Sequence, residues 1–136
     1  MQFDKHIKDL SNYRLNRANE NLEAAKILLG SGYYSESINR SYYAIFHCVR
    51  ALLAFDEFDS TKHSGIISYF NKCYVKTNKV TKKLSVILNQ AFMIRNKSDY
   101  DDFYIASKQE AQEQNAKAEL FMNEIKRYIV AEKTKG

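Results

Sequence analysis

The sequence predicts an all-α protein, an up-and-down antiparallel bundle of four long helices plus one short helix. Three observations predict it. The 136 residues contain no proline, which suits long uninterrupted helices joined by short links. Apolar residues recur at three- and four-residue steps in several separate stretches, as they do where one helix face turns to a core. No stretch alternates apolar and polar residues in the manner of a half-buried strand. With 45% hydrophobic and 27% charged residues and a mean hydropathy of −0.52, the chain falls in the globular class, one domain over residues 1–136 and long enough to bury a core.

The first helix is expected over about Lys5 to Leu29. Leu15, Ala18, Leu22, Ala25 and Leu29 form its apolar face, with Arg14, Arg17, Glu20, Glu23 and Lys26 opposite. Gly30-Ser31-Gly32 stops it, because glycine tolerates a left-handed cap. So short a turn makes the next helix an antiparallel neighbour. That central helix starts near Tyr33 and ends near Asp56. Its stretch SINRSYYAIFHCVRALLAF, Ser37 to Phe55, carries only two charges, Arg40 and Arg50. Ile38, Tyr42, Ile45, Val49 and Leu52 form one stripe, and Tyr43, Phe46, Ala51 and Leu53 widen it. A helix apolar nearly all round belongs at the centre of a bundle. Arg40, Arg50 and His47 then need partners there.

Glu57 to Lys62 reads as a loop, followed by a shorter helix over about His63 to Tyr74 that buries Ile66, Ile67, Phe70 and Tyr74. Asn78 is placed to cap the next helix, about Lys79 to Arg95, whose apolar set is Val80, Leu84, Ile87, Leu88, Ala91, Phe92 and Ile94. Asn96 to Ala106 breaks the periodicity and carries Asp99, Tyr100, Asp101, Asp102 and Tyr104. Ser107 and Glu110 have capping-box spacing, so the last helix starts there and runs through Ala111, Ala118, Phe121, Met122, Ile125, Ile129 and Val130. A flexible polar tail is expected from about 131.

The net charge of +5 is unevenly placed. Ser60 to Ser98 holds no Asp or Glu, yet contains Lys62, Lys72, Lys76, Lys79, Lys82, Lys83, Arg95 and Lys97. Such a segment suits an anionic partner, nucleic acid or an acidic protein, and serves equally as a solvated basic face. Cys48 and Cys73 make no disulfide framework, and Cys48 reads as a small buried hydrophobe. The three histidines, His6, His47 and His63, are scattered, and no His, Cys or carboxylate pair has metal-ligand spacing, so neither metal nor cofactor is expected. No apolar run reaches membrane-span length and MQFDKHIKDL lacks a signal-peptide core, so a cytoplasmic protein with no membrane partner is expected.

Asn39-Arg40-Ser41-Tyr42-Tyr43-Ala44-Ile45-Phe46-His47, continuing into Arg50-Ala51-Leu52-Leu53, resembles the second helix of bacterial and archaeal HEPN-domain proteins. Lys62-His63-Ser64-Gly65, then Tyr69-Phe70 through Tyr74-Val75-Lys76, are similar to the family's middle segment. Arg95 followed by Asp99-Tyr100 resembles the end-of-helix signature of one subgroup. The resemblance implies a helical bundle, a homodimer, and a pairing with a minimal nucleotidyltransferase in a toxin–antitoxin arrangement. Many such proteins are metal-independent ribonucleases whose signature is an Arg, a polar residue, then a His four to six residues beyond the Arg.

This chain departs from that signature. Arg95 is followed by polar Asn96, but Lys97 to Asp102 contains no histidine. Cleavage through the ribose 2′-hydroxyl needs a group of near-neutral pKa to move protons. Arg95 can bind phosphate, whereas Asp99 or Tyr100 is a poor substitute base. The expected site is therefore a degenerate nuclease motif at Arg95, Asp99 and Tyr100, with Asn39, Arg40, Lys62, Asn96 and Lys97 as nucleotide- or RNA-binding edges. The rival is an active ribonuclease using Arg95 with His63, at a helix start beside Lys62, or with His47, two turns from Arg40. Each has a structural reading as well: an Arg95–Asp99 ion pair, a packing role for His63, a hydrogen-bonded core His47. A protein-docking scaffold is the third reading. Tyr104 and Tyr100 are the candidates, by position in the resemblance, for modification by the nucleotidyltransferase.

Overall fold

The computed structural model describes residues 4–134, and every regular element among them is helical: α1 (Lys5–Gly30), α2 (Tyr34–Leu53), α3 (His63–Phe70), α4 (Lys82–Tyr100) and α5 (Lys108–Tyr128). The predicted architecture of four long helices and one short helix is present. Helix α2 lies at the centre and packs against α1, α4 and α5, and the start of α3 lies against its middle, with His63 beside Tyr42 and Phe46. Its predicted stripe of Ile38, Tyr42, Ile45, Val49 and Leu52 is fully buried, and Phe70, Leu84, Leu88, Phe121 and Ile125 meet it from the other helices.

The α1–α2 turn is a Schellman motif. Gly32 takes the left-handed conformation at φ 83°, while the Tyr33 N–H donates to the Leu28 carbonyl (2.9 Å) and the Gly32 N–H to that of Leu29 (3.2 Å). Small polar side chains let the helices approach closely. Ser37 Oγ donates to the Ala25 carbonyl at 2.7 Å, and Ser11 Oγ to that of Ala51 at 2.8 Å. Asn115 Nδ2 of α5 donates to both Ser37 and Ser41. These bonds satisfy polar groups that would otherwise be stranded in the core.

Three expectations need correction. First, Arg14 does not lie on the solvent face of α1. It is buried because its guanidinium donates to the Arg50 carbonyl at 2.9 Å and reaches Asp59 at 3.4 Å, two acceptors that α2 and the following loop turn toward it. Second, Asn78 is not a helix cap. It sits at φ 60° in the turn before Thr81, the residue at the N-cap of α4; Asn tolerates that left-handed conformation, so it turns the chain. Third, α4 does not end at Arg95. No glycine or proline interrupts residues 96–100, and Arg95 and Asp99 pair one turn apart. The helix stops at Asp101, whose carboxylate accepts from the Phe103 N–H at 3.0 Å, an Asx turn that competes with the helical bond.

The capping box at Ser107 is formed, the Glu110 N–H donating to Ser107 Oγ and the Ser107 N–H to Glu110 Oε1. Beyond α5 a π-type turn carries the chain in helical form through Lys133, and Lys133 pairs with Asp56 at 3.6 Å. Helical order thus passes the position 131 at which a flexible tail is expected; the last two residues of that tail lie outside the described residues.

Candidate functional site

Helix α4 buries Leu84, Leu88 and Ala91 along one stripe. Arg95 continues that stripe one turn later, so a cation is carried toward the bundle interior, with its side chain only 13% exposed. Aromatic rings hold it there. The guanidinium carbon lies 5.4–5.6 Å from the ring centres of Tyr42, Tyr43 and Tyr100, a cation–π cage that orients the planar group. Arg95 Nη2 donates to the Tyr43 hydroxyl at 3.0 Å, and Nη1 to Asn96 Oδ1 at 3.2 Å.

Asp99 approaches Arg95 Nε to 3.0 Å, but the Nε–H does not point at the oxygen, and that buried nitrogen makes no hydrogen bond. The contact is an attraction of charges without a directed bond. Asp99 Oδ2 instead accepts from Asn39 Nδ2 at 2.9 Å. Asn39 Oδ1 accepts from Arg40 Nε and Nη2, and Arg40 Nη1 donates to Asn21 Oδ1 at 3.0 Å. One polar chain therefore links α1, α2 and α4 behind Arg95.

In front of Arg95 lies an open cleft of about 470 Å³, lined by Tyr43, Lys62, His63, Ser64, Phe92, Arg95, Asn96 and Tyr100. The start of α3 supplies Lys62, His63 and Ser64. Gly65 permits its position, since a Cβ there would come within 2.5 Å of Ser60 Oγ, the atom that accepts from the Lys62 N–H. His63 stacks on Phe46 at 4.2 Å between ring centres, and its Nδ1 shares a 2.8 Å hydrogen bond with the Tyr42 hydroxyl. Burial, together with the positive charges of Arg95 and Arg50, lowers the His63 pKa below its ordinary value, so the ring is neutral at pH 7. Burial also drives the Tyr42 phenol upward, so it stays protonated, and Nε2 is a free base in the tautomer whose Nδ1–H donates to the Tyr42 oxygen. The cleft thus holds a fixed cation, a neutral imidazole and a lysine: it can take an anion and offer it a base.

The predicted residues separate into groups. Arg95, His63, Lys62, Asn96 and Tyr100 meet at the cleft. Asn39, Arg40 and Asp99 form the polar chain behind it instead of its edge. Lys97 lies on another side of α4, in a groove with Glu110, Glu113 and Lys117. His47 faces a separate pocket between α1 and α2 with Arg14, Arg17 and Arg50, so it does not join Arg95. The Tyr104 hydroxyl is tied to Glu110, whereas Tyr100 is 73% exposed. Lys79 and Lys82 line a groove with Arg127, roughly 20 Å from Arg95 by helical rise, so the basic segment is not one surface. Among the described residues no three His, Cys, Asp or Glu side chains converge as metal ligands, and no helix is long and apolar enough to cross a membrane. Sequence reasoning missed the framing role of Tyr42, Tyr43 and Phe92; the adjacent tyrosines in the central helix were the available signal.

Comparisons with known proteins agree with this architecture. The model of the HEPN domain matches residues 11–128. A protein of Methanocaldococcus jannaschii named "Putative toxin" is 35% identical over 117 residues, covering 86% of this chain and 80% of that protein. A UPF0332 protein of Thermotoga maritima is 37% identical over 117 residues, covering 86% and 89%. The crystal structure of an archaeal HEPN homologue superposes with a TM-score of 0.63 at 22% identity, over 88% of this chain and 97% of that one, a likeness of fold. With a bundle centred on α2 and a family match that spans most of its length, this chain belongs to the HEPN domain family.

Proposed function

We propose that the protein is a toxin-type, metal-independent endoribonuclease that works through the Arg95–His63 cleft. The observation that carries this reading is the convergence of His63 on Arg95. The histidine absent after Arg95 in sequence is supplied by the start of α3. In the proposed reaction neutral His63 takes the proton of a ribose 2′-hydroxyl. The 2′-oxygen attacks the adjacent phosphorus, Arg95 holds the charge that grows on the phosphoryl oxygens, and the 5′-oxygen leaves. The products are a 2′,3′-cyclic phosphate and a 5′-hydroxyl. The leaving 5′-oxygen takes its proton from water, and the hydroxide so formed recovers the proton held by the His63 imidazolium, so the step balances with the neutral ring restored. The toxin name of the Methanocaldococcus relative supports the reading.

The test uses purified protein, single-stranded RNA and EDTA. Cleavage that yields cyclic-phosphate ends and is abolished by Arg95→Ala and by His63→Ala is the expected result. Cleavage that survives both substitutions, or needs a divalent metal, sinks it. A second reading follows from Asp99: a carboxylate 3.0 Å from Arg95 competes with phosphate and favours binding without cleavage, either of a nucleotide or of a minimal nucleotidyltransferase partner. That reading predicts salt-sensitive RNA or nucleotide affinity, or co-purification with the nucleotidyltransferase, and no product.

A further inference from the structure

We propose that the pocket between α1 and α2 formed by Arg14, Arg17, His47 and Arg50 is a phosphate-binding site distinct from the Arg95 cleft. Positions 10, 13, 14 and 17 of α1 share one helix face, and 47 and 50 of α2 face them one turn apart. They enclose an open pocket of about 380 Å³ whose remaining walls are Leu10 and Tyr13. Three guanidinium groups therefore surround one cavity.

Structure explains two of them. Arg50 grips Asp59 with Nε at 3.3 Å and Nη2 at 2.9 Å, and Arg14 joins the same carboxylate while holding the Arg50 carbonyl. These bonds anchor the loop after α2 to the helix pair. Arg17 and His47 have no such employment. Among the described residues the Arg17 guanidinium has no ion pair or hydrogen bond, and His47 Nδ1 is buried without a partner. Asp59, the carboxylate paired with Arg14 and Arg50, leaves this corner with an excess of positive charge. A tetrahedral dianion with several acceptor oxygens matches converging guanidinium donors.

The imidazole reports the field. His47 is held at a pKa of about 4 by burial and by the charges of Arg50, Arg17, Arg14 and Arg40. Those four groups, the Tyr43 ring on its own helix, the Tyr13 ring across the pocket and Asp59 behind the arginines are the charged and titratable neighbours. A phosphate seated among them must raise the His47 pKa, since an adjacent anion favours the imidazolium. By linkage, protonation of His47 favours binding, while protonation of the phosphate itself below about pH 6 opposes it.

The phosphate could belong to a free nucleotide or to an RNA backbone. Tyr43, His47 and Arg50 follow one another along α2, and Tyr43 also bonds Arg95, so the pocket lies roughly 10 Å along the helix from the cleft. A strand of RNA lying across α2 would meet both.

The test is NMR titration of the His47 ring in the full chain with three probes: inorganic phosphate, adenosine 5′-monophosphate and a short single-stranded RNA. Each probe that binds is expected to raise the His47 pKa, and Arg17→Ala is expected to weaken binding about tenfold, the loss of one charge-assisted hydrogen bond. Arg17 is exposed, so the variant should fold; Arg17→Glu gives the same answer more strongly. A response to RNA alone identifies a backbone subsite, and a response to phosphate and the mononucleotide alone identifies a phosphomonoester site; both support the proposal. A His47 pKa that no probe moves, or binding indifferent to Arg17→Glu, overturns it. Arg95→Ala should leave the response to inorganic phosphate intact, so loss of cleavage and loss of this site are read independently.

Discussion

Replacing Asp99 with asparagine separates a carboxylate that takes part in chemistry from one that restrains it. Asparagine keeps the shape and keeps an oxygen to accept from Asn39 Nδ2, the bond now 2.9 Å long. It removes one negative charge 3.0 Å from Arg95 Nε. The Arg95–Asp99 contact is partly screened, with side chains 13% and 23% exposed, and it lacks a directed hydrogen bond, so its loss should cost only about 1 kcal/mol of stability. The effect on binding has the opposite sign. A phosphate docked beyond the far nitrogens of Arg95 stands roughly 7 Å from the carboxylate, and at an effective dielectric of about 20 their repulsion is about 2 kcal/mol. Salt screening reduces this to about 1 kcal/mol, so Asp99→Asn should tighten RNA binding roughly fivefold at physiological salt and up to about thirtyfold at low salt. Fluorescence anisotropy with a labelled single-stranded RNA measures it, and the salt dependence of the affinity should steepen because an intramolecular counter-charge has gone. Weaker RNA binding by a folded Asp99→Asn protein would refute the reasoning. Abolished cleavage with unchanged binding would return Asp99 to a chemical role.

Three further outcomes follow from the same geometry. Tyr42→Phe removes the hydroxyl 2.8 Å from His63 Nδ1 and should cost about 1–3 kcal/mol in urea unfolding, as a buried polar atom loses its partner; cleavage should fall more than RNA affinity, because ring placement and not charge is lost. His47, ordinarily near 6.5 in an unfolded chain and about 4 here, binds fewer protons when folded. Its contribution to stability is therefore complete above pH 6.5 and is lost as the pH falls toward 4. For a partly buried ring that loss is about 1–2 kcal/mol, visible in denaturation midpoints, and His47→Gln should abolish this part of the pH dependence. Gly65→Ala drives a Cβ to 2.5 Å from Ser60 Oγ and 3.0 Å from its Cβ, a clash worth roughly 1–3 kcal/mol. Adding Ser60→Gly should recover most of the loss, and failure to do so would show that the strain lies elsewhere.

Fold and core were legible because α2 repeats its apolar stripe without interruption, and a helix greasy on nearly every face has one place to go. The capping box was legible because its two reciprocal bonds join residues three apart, Ser107 and Glu110, and need no tertiary partner to form. What sequence pattern could not reach were contacts set by tertiary geometry. Arg14 looks like a surface residue on a helical wheel, yet Asp59, forty-five positions away, draws it inward. Ser37 and Ser41 look like interruptions of the central helix until Asn115 arrives from α5. The end of α4 was misread because polar Asn96, Lys97 and Ser98 suggest a loop. Periodicity reports burial, and a helix that projects past the core loses its apolar period without losing its hydrogen bonds.

The extension of α4 to Tyr100 changes what the missing histidine means. Were residues 96–102 a loop, a proton carrier supplied by one of them could swing toward Arg95, and its absence would argue against catalysis. In a continuing helix their side chains radiate at fixed angles, and Asn96, Asp99 and Tyr100 are the ones that touch the Arg95 guanidinium. Asp99 is occupied by Asn39, and Tyr100 stacks on the guanidinium. The Asp99 carboxylate is thereby engaged, and a phenol such as Tyr100 is a poor base near neutral pH. The opposite wall, α3, is where a base has room, and His63 stands there, held by Phe46 and Tyr42. A histidine brought in from a separate helix can also be moved independently of Arg95. Strengthening or loosening the Ser60–Gly65 contact should then alter cleavage while leaving the Arg95 cage and its phosphate affinity in place, a separation that a histidine following Arg95 on the same helix would not permit.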